Sequence, residues 1–344
     1  MGFLEVIQDN CKNHCKVSRW PRFAFHYTDV TNAVSILSEG TLFSRTDAQR
    51  FHIMQNDNAS RQVIDMTNSN VVSMVRFYFR PLTPTQYYNE GYKHPALRYD
   101  GDENANTPVP IFFLFDLASI LSLPEVQFSE TSQAGYGATV FSGEEAFKKL
   151  NFDAIYSTGW EDSKQYKNYR HAEITHRGPL AIEPYLRTIL CRNVQDRTTL
   201  LNLLRESDPF AHQKYRDIIK VYKNDTFQNN GLCVESCIVH ENTLSITFSD
   251  SYQKQKYMDR MKEKLNVNDI RPISVRIECR WSNTRRLIYQ ESFSVGLDYA
   301  NPGNIVIRNM PVIPNTRELG IKVFFDDKLV CYQRQSVSDS EVIK

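Results

Sequence analysis

Residues 109–115, VPIFFLF, run apolar without a polar break. A run of that length suits a strand covered on both faces. Such a strand needs packing layers above and below it, so it belongs in a sheet flanked by helices. The chain has 344 residues, 41% of them apolar, which is enough to build that core. At roughly 100–200 residues per domain a second unit is expected as well.

The flanking segments fit this frame. PRFAFHYTDVTNAVSILSEG at 21–40 reads as a strand ending near Tyr27 and a helix starting near Thr31, with Ala33, Ile36 and Leu37 on one face. Thr31 or Asp29 can cap the helix, and Gly40 stands where it should stop. Residues 45–74 are polar and predict a long mobile segment, which inside a compact domain is usually functional. VRFYFRPLTPTQYYNEGY at 75–92 is an aromatic strand interrupted by Pro81 and Pro84, because proline lacks the amide a central ladder needs. GEEAFKKL predicts a short helix, FDAIYST a strand, and HAEITHRG another strand. Helices are predicted over 198–206 and 209–223, the second with Phe210, Tyr215, Ile218, Ile219 and Tyr222 on its apolar face.

The pattern changes near 225–231. From 232 onward short β-type runs such as TLSITF, ISVRIECRW and GIKVFF follow one another between turn signals, broken by one charged helix at about 252–265. The fold class read here is α+β: a split mixed sheet with helices over 1–228, then a β-sandwich-like accessory domain over 229–344. The second unit is expected to fold by itself and to carry no catalytic group. Arg276, Arg280, Arg285 and Arg286 read there as a solvated sheet face that could extend a nucleic-acid surface.

Lys+Arg 41 against Asp+Glu 40 leaves a formal charge of +1, which excludes a protein that coats nucleic acid by bulk electrostatics. Any such contact must be local. The first thirty residues carry charges throughout and lack a signal-peptide core, so a cytoplasmic protein is expected. Seven thinly spread cysteines suit a reducing compartment. Cys11 and Cys15, like Cys233 and Cys237, are separated by three residues rather than the two a structural zinc site favours, and no metal is expected.

Four polar clusters stand on otherwise apolar elements: His26 with Thr28, Arg45 and Arg61 in or beside the polar segment, Tyr78 with Arg80, and Glu173 beside Arg170 and His171. Taken singly, each reads as ordinary packing or a solvated side chain. AGYGA at 134–138 lacks the strand-before, helix-after setting of a nucleotide-binding glycine loop. Together the clusters suit cleavage of the bond between nicotinamide and ribose. That transition state carries positive charge on the sugar, so one preorganised carboxylate is the largest electrostatic help available. Arginines would hold the pyrophosphate, and aromatics would stack nicotinamide or a base.

Three blocks resemble the DarT family of DNA ADP-ribosyltransferase toxins. These are HYTDVTNAVSILSEGTLFSR, VRFYFRPLTPTQYYNEGY and YRHAEITHRGPLAI, and the resemblance covers roughly 21–185. It implies NAD+ as co-substrate, single-stranded DNA as acceptor and a cognate antitoxin that removes ADP-ribosyl groups. Residue by residue it implies Glu173 as the catalytic carboxylate and Arg61, with Arg45 as runner-up, as the arginine that contacts and activates NAD+. It further implies Tyr78 and Phe79 at the nicotinamide, and His26, Thr28 and Asn32 at the ribose or amide. Tyr166, Tyr169, Arg170 and His171 precede the catalytic strand and are expected to meet the base. Two positions depart from the family pattern: His171 replaces a usual Gln, and Asp29 stands where thymidine-modifying members carry His. The wording is closer to the branch that modifies guanine. The alternatives are thymidine modification, transfer to RNA or protein, plain hydrolysis of NAD+, and a binding module without activity.

Overall fold

The computed structural model describes residues 2–57, 69–98, 106–134, 138–159, 166–222, 225–265, 272–299, 301–310 and 318–336. The first unit contains strands β1 (Phe23–Asp29), β2 (Thr41–Leu42), β3 (Met74–Tyr78), β4 (Pro110–Asp116), β5 (Val126–Ser129), β6 (Glu173–Arg177), β7 (Leu180–Ala181), β8 (Leu186–Cys191) and β9 (Ile219–Val221). Seven of these make one sheet in the order β5-β6-β3-β1-β4-β8-β9. All its pairs are antiparallel except β8 with β9, so the sheet is mixed, as expected. β4 is the long apolar run, and it is buried from Pro110 to Phe115.

The helix after β1 spans Val30–Glu39. Asp29 caps it by accepting from the Thr31 amide at 3.0 Å. It ends at Gly40, whose φ of 61° is the left-handed geometry that glycine adopts at little cost.

Three expectations fail locally. FDAIYST forms a helix over Phe152–Ile155, because Asn151 caps it by accepting from the Ala154 amide at 3.1 Å. The predicted helix at 209–223 stops at Tyr215. Ile219–Val221 instead lies parallel to β8, where β-branched residues extend the sheet, and Phe210 points to solvent. Part of the polar 45–74 segment is helical, over Arg45–Arg50 and Ser69–Val72.

The later residues form β10 (Val234–His240), β11 (Thr243–Phe248), β12 (Ile273–Trp281), β13 (Leu287–Val295), β14 (Ile305–Ile307), β15 (Glu318–Phe325) and β16 (Lys328–Ser336). They make two antiparallel sheets, β10-β11-β14 and β13-β12-β15-β16, around a shared core. Tyr92 and Leu97, from the first half of the chain, are fully buried in that core. The Tyr92 hydroxyl bonds Asp326, and the backbones at Tyr92 and Leu232 exchange hydrogen bonds of 3.0 and 2.8 Å. Tyr87, Tyr88, Tyr92 and Leu97 thus pack with the later strands although they precede residue 229. Arg276 and Arg280 pair with Glu278 across the face of β12, and Arg285 donates to the Glu206 carbonyl at 2.6 Å, so these three arginines are engaged within the protein.

Candidate active site

β1 and β3 are joined at a single register, Phe25 opposite Tyr78. Beyond it β1 follows β4 for its whole length while β3 follows β6. A side chain spans the gap where a ladder would run, His26 Nδ1 bonding the Arg76 carbonyl at 3.0 Å. A carbonyl can only accept, so Nδ1 carries the proton. Burial pushes the imidazole pKa down and keeps the ring neutral.

The opening between the two halves holds a cavity of about 230 Å³. His26, Thr28, Asn32 and Arg45 all line it, which brings together four residues singled out in the sequence. Arg45 is paired with Asp57 on the same wall. Asn32 is committed to the loop over the cavity: its amide donates to the Asn56 carbonyl at 2.6 Å and accepts from the Gln55 and Asn56 amides at 2.8 and 3.1 Å. The Asn56 side chain in turn accepts from Lys328 at 2.6 Å, so the second unit helps hold this loop.

Glu173 opens β6, facing Tyr78 across the ladder, and only 1% of it is exposed. Arg76 donates to its carboxylate at 2.7 Å, and the Gln133 amide donates at 3.2 Å. Arg76 also lines the cavity, so one guanidinium joins Glu173 to that space. Burial alone would lower the Arg76 pKa, but Glu173 and Tyr78 outweigh it and hold the group charged. Burial, then Glu173, pushes the Tyr78 phenol up and keeps it protonated.

Arg76 and Gln133 were not singled out in the sequence. For Arg76 the signal was present: in MVRFY the period of two puts Arg76 and Tyr78 on one face, with Val75 and Phe77 buried on the other. Gln133 sits on an irregular turn with no such pattern.

Other expected residues fall elsewhere. Phe79 is fully buried and stacked on Phe147 at 6.2 Å, because it continues the core-facing side beyond Phe77, so it lines no cavity wall. Arg80 does not accompany Tyr78. It is buried under Trp20 and donates to the carbonyls of Ile155 and Ser157 at 2.8 and 2.7 Å. Arg61 lies outside the described residues. Tyr166, Tyr169, Arg170 and His171 gather immediately before β6, the two tyrosine rings meeting edge to face at 6.2 Å. Arg170 is tied down by Ser157 Oγ and the Gly159 carbonyl at 3.3 and 3.0 Å. His171 is pushed down to about 4 by burial and by the charges of Lys167 and Arg76, so it is neutral near pH 7.

A family model described as DarT, ssDNA thymidine ADP-ribosyltransferase, matches residues 25–222, well over half of the chain. The chain belongs to the DarT family. Every site residue expected above falls inside the match, and the β-rich unit lies outside it. Among solved structures, Thermus sp. 2.9 DarT in complex with NAD+ is 17% identical, with a TM-score of 0.45 over 60% of this chain and 98% of that one. The same protein in complex with ADP-ribosylated ssDNA gives 16% identity and a TM-score of 0.48 over 60% and 97%. Thermosipho africanus DarTG in complex with ADP-ribose gives 15% and 0.44 over 60% and 50%. No curated protein matches the chain. As a DarT-family member the chain is a DNA ADP-ribosyltransferase. The description of the matching model names thymidine, whereas the sequence wording pointed to the guanine branch. No described helix is long and apolar enough to cross a membrane.

Proposed function

We propose that this DarT-family enzyme takes ADP-ribose from NAD+ and joins it to guanine in single-stranded DNA. The observation that carries the reading is the Arg76–Glu173 pair at the split of the sheet, which sets one buried carboxylate beside the cavity. The Nε of Arg76 is buried without a hydrogen-bond partner, a donor available to a polar ligand there. In the reaction the bond between the ribose C1′ and nicotinamide breaks, a bond from C1′ to a base nitrogen forms, and the base loses one proton. Glu173 stabilises the positive charge that develops on the ribose and takes the proton. Tyr78 packs at the nicotinamide end, and His26 and Thr28 face the sugar or amide. Arg45 and Arg61 engage the phosphates.

The acceptor is assigned from the loop before β6. A neutral imidazole at His171 offers one N–H to the O6 and N7 acceptors that guanine presents side by side, with Tyr166 and Tyr169 as stacking surfaces. A paired and stacked base would not reach this loop, which favours a single strand. Thymidine is the second reading, favoured by the description of the family model. A toxin of this kind requires an antitoxin that removes the ADP-ribosyl group, and we assign the chain such a partner. Mass spectrometry of nucleosides from single-stranded DNA treated with protein and NAD+ tests the reading. An ADP-ribosyl-guanine adduct is expected. A thymidine adduct alone overturns the base assignment, and no adduct on any sequence overturns the DNA assignment.

A further inference from the structure

We infer that the helix Tyr252–Leu265 of the second unit forms one wall of the groove in which the single strand lies, the other wall being the segment that leads into β6. The inference rests on the reading of the chain as a transferase acting on single-stranded DNA. A groove of about 590 Å³, within the range of small-ligand pockets, runs between the loop before β6 and this helix. Lys167 and Arg170 line it from the catalytic side, Arg260 from the helix, and Tyr87 and Tyr88 lie between them.

The helix is fixed in this position. Tyr257, Met258 and Met261 are buried on its inner side, and the Tyr257 hydroxyl donates to the Leu97 carbonyl at 2.9 Å. Arg260 and Lys264, four residues apart and so on one face, are exposed and lie over Tyr87 and Tyr88 at 5.3 and 5.7 Å from the ring centres. The two tyrosine rings meet edge to face at 5.3 Å. On the floor, Leu82 holds φ at 58°, a strained geometry for a branched side chain and of the kind found at binding sites.

Alternating cations and aromatic rings are what an unpaired strand needs, the cations tracking its phosphates and the rings stacking its bases. The chain is almost neutral, so this patch supplies locally the charge that the whole lacks. In another cation-rich depression Arg280, Lys322 and Arg334 are paired with Glu278, Glu206 and Glu318, which weakens its pull on a polyanion. Arg170 is three residues before Glu173, so the groove runs along the segment that leads into the strand bearing the carboxylate.

The test is binding of a fluorescently labelled oligodeoxynucleotide to the full chain by anisotropy, across a range of salt. Arg260→Glu with Lys264→Glu is expected to weaken binding by on the order of tenfold or more and to flatten the salt slope by roughly 0.7 for each phosphate no longer neutralised. Lys167→Glu, on the opposite wall, should act in the same direction. Lys16→Glu with Lys220→Glu, two exposed residues that do not line the groove, changes the charge as much as the double groove variant and should leave binding as it was. Wild-type affinity in both groove variants overturns the inference alone. An equal loss in Lys16→Glu with Lys220→Glu reduces the effect to net charge and also overturns it. No binding by the unaltered chain overturns this inference together with the DNA reading.

Discussion

The guanidinium of Arg76 holds the carboxylate of Glu173 at 2.7 Å, from a side chain 30% exposed to one only 2% exposed. Removing Arg76 leaves a buried carboxylate without its cation, which a retained fold makes visible as lost chemistry. Glu173→Gln is expected to lower transfer by at least about 10²-fold, the scale of one preorganised group at a developing charge. Arg76→Ala should lower it too, and Arg76→Lys should restore part of the loss. Nicotinamide release and DNA modification, measured on variants with native circular dichroism, check this; more than about a tenth of wild-type transfer in Glu173→Gln counts against the assignment.

Arg45 and Arg61 should separate in the same assay. Arg45 stands on the cavity wall but shares its charge with Asp57. Arg61 is the residue that the family resemblance favours as the activating arginine. Arg61→Ala is therefore expected to slow NAD+ turnover more than Arg45→Ala does. The reverse order would mean that Arg45 is the activating group.

Gly91 and Gly231 pack backbone against backbone where the two units meet. Gly91 holds φ at 73°, and a Cβ built there would stand 2.8 Å from the Gly231 Cα. Neither backbone can retreat cheaply, because Tyr92 and Leu232 are hydrogen-bonded beside them. Gly91→Ala is expected to destabilise the protein by about 1–3 kcal/mol from the φ alone, with the clash in addition. A thermal midpoint equal to wild type would show that the junction gives way without cost.

His171 should show itself in the dependence of stability on pH. Its folded-state value is about 4, below the ordinary 6.5, because burial, Lys167 and Arg76 all oppose its protonation. Between those values the unfolded chain binds a proton that the folded chain refuses, so stability is full above about pH 6.5 and falls as the pH drops toward 4. His171→Gln is expected to flatten that part of the profile. Denaturant midpoints for both proteins across the window measure it, and superimposable profiles would place His171 in water.

The elements around the cavity were legible because their signals are local. An aspartate caps the helix after β1, a glycine ends it, and the continuous apolar run of β4 requires two covered faces. For the site, the resemblance put Glu173 and His26 forward, and they stand on β6 and β1, in the two halves of the split sheet. The site was less legible where geometry decides: Phe79 and Arg76 differ in role only through which face of β3 they occupy. The period of two separates those faces, but which of them meets the cavity depends on the pairing of Phe25 with Tyr78, residues 53 positions apart. The strand at Ile219–Val221 was hidden for a similar reason, since its apolar residues also satisfy a helical spacing until β8 is known to lie beside them.

Tyr92 and Leu97 belong to the first half of the chain in sequence and to the second core in space. On a ribosome, the helix Pro84–Asn89 and the segment after it emerge long before the residues that will cover them. At about 5–20 residues per second, the hundred or so residues after 231 take on the order of 5–20 s to follow. During that interval the groove has one wall and the loop at Asn56 has no Lys328 to hold it. On the proposed reading a nascent chain would therefore carry its carboxylate before it could grip a strand, and the delay between the two is set by translation itself.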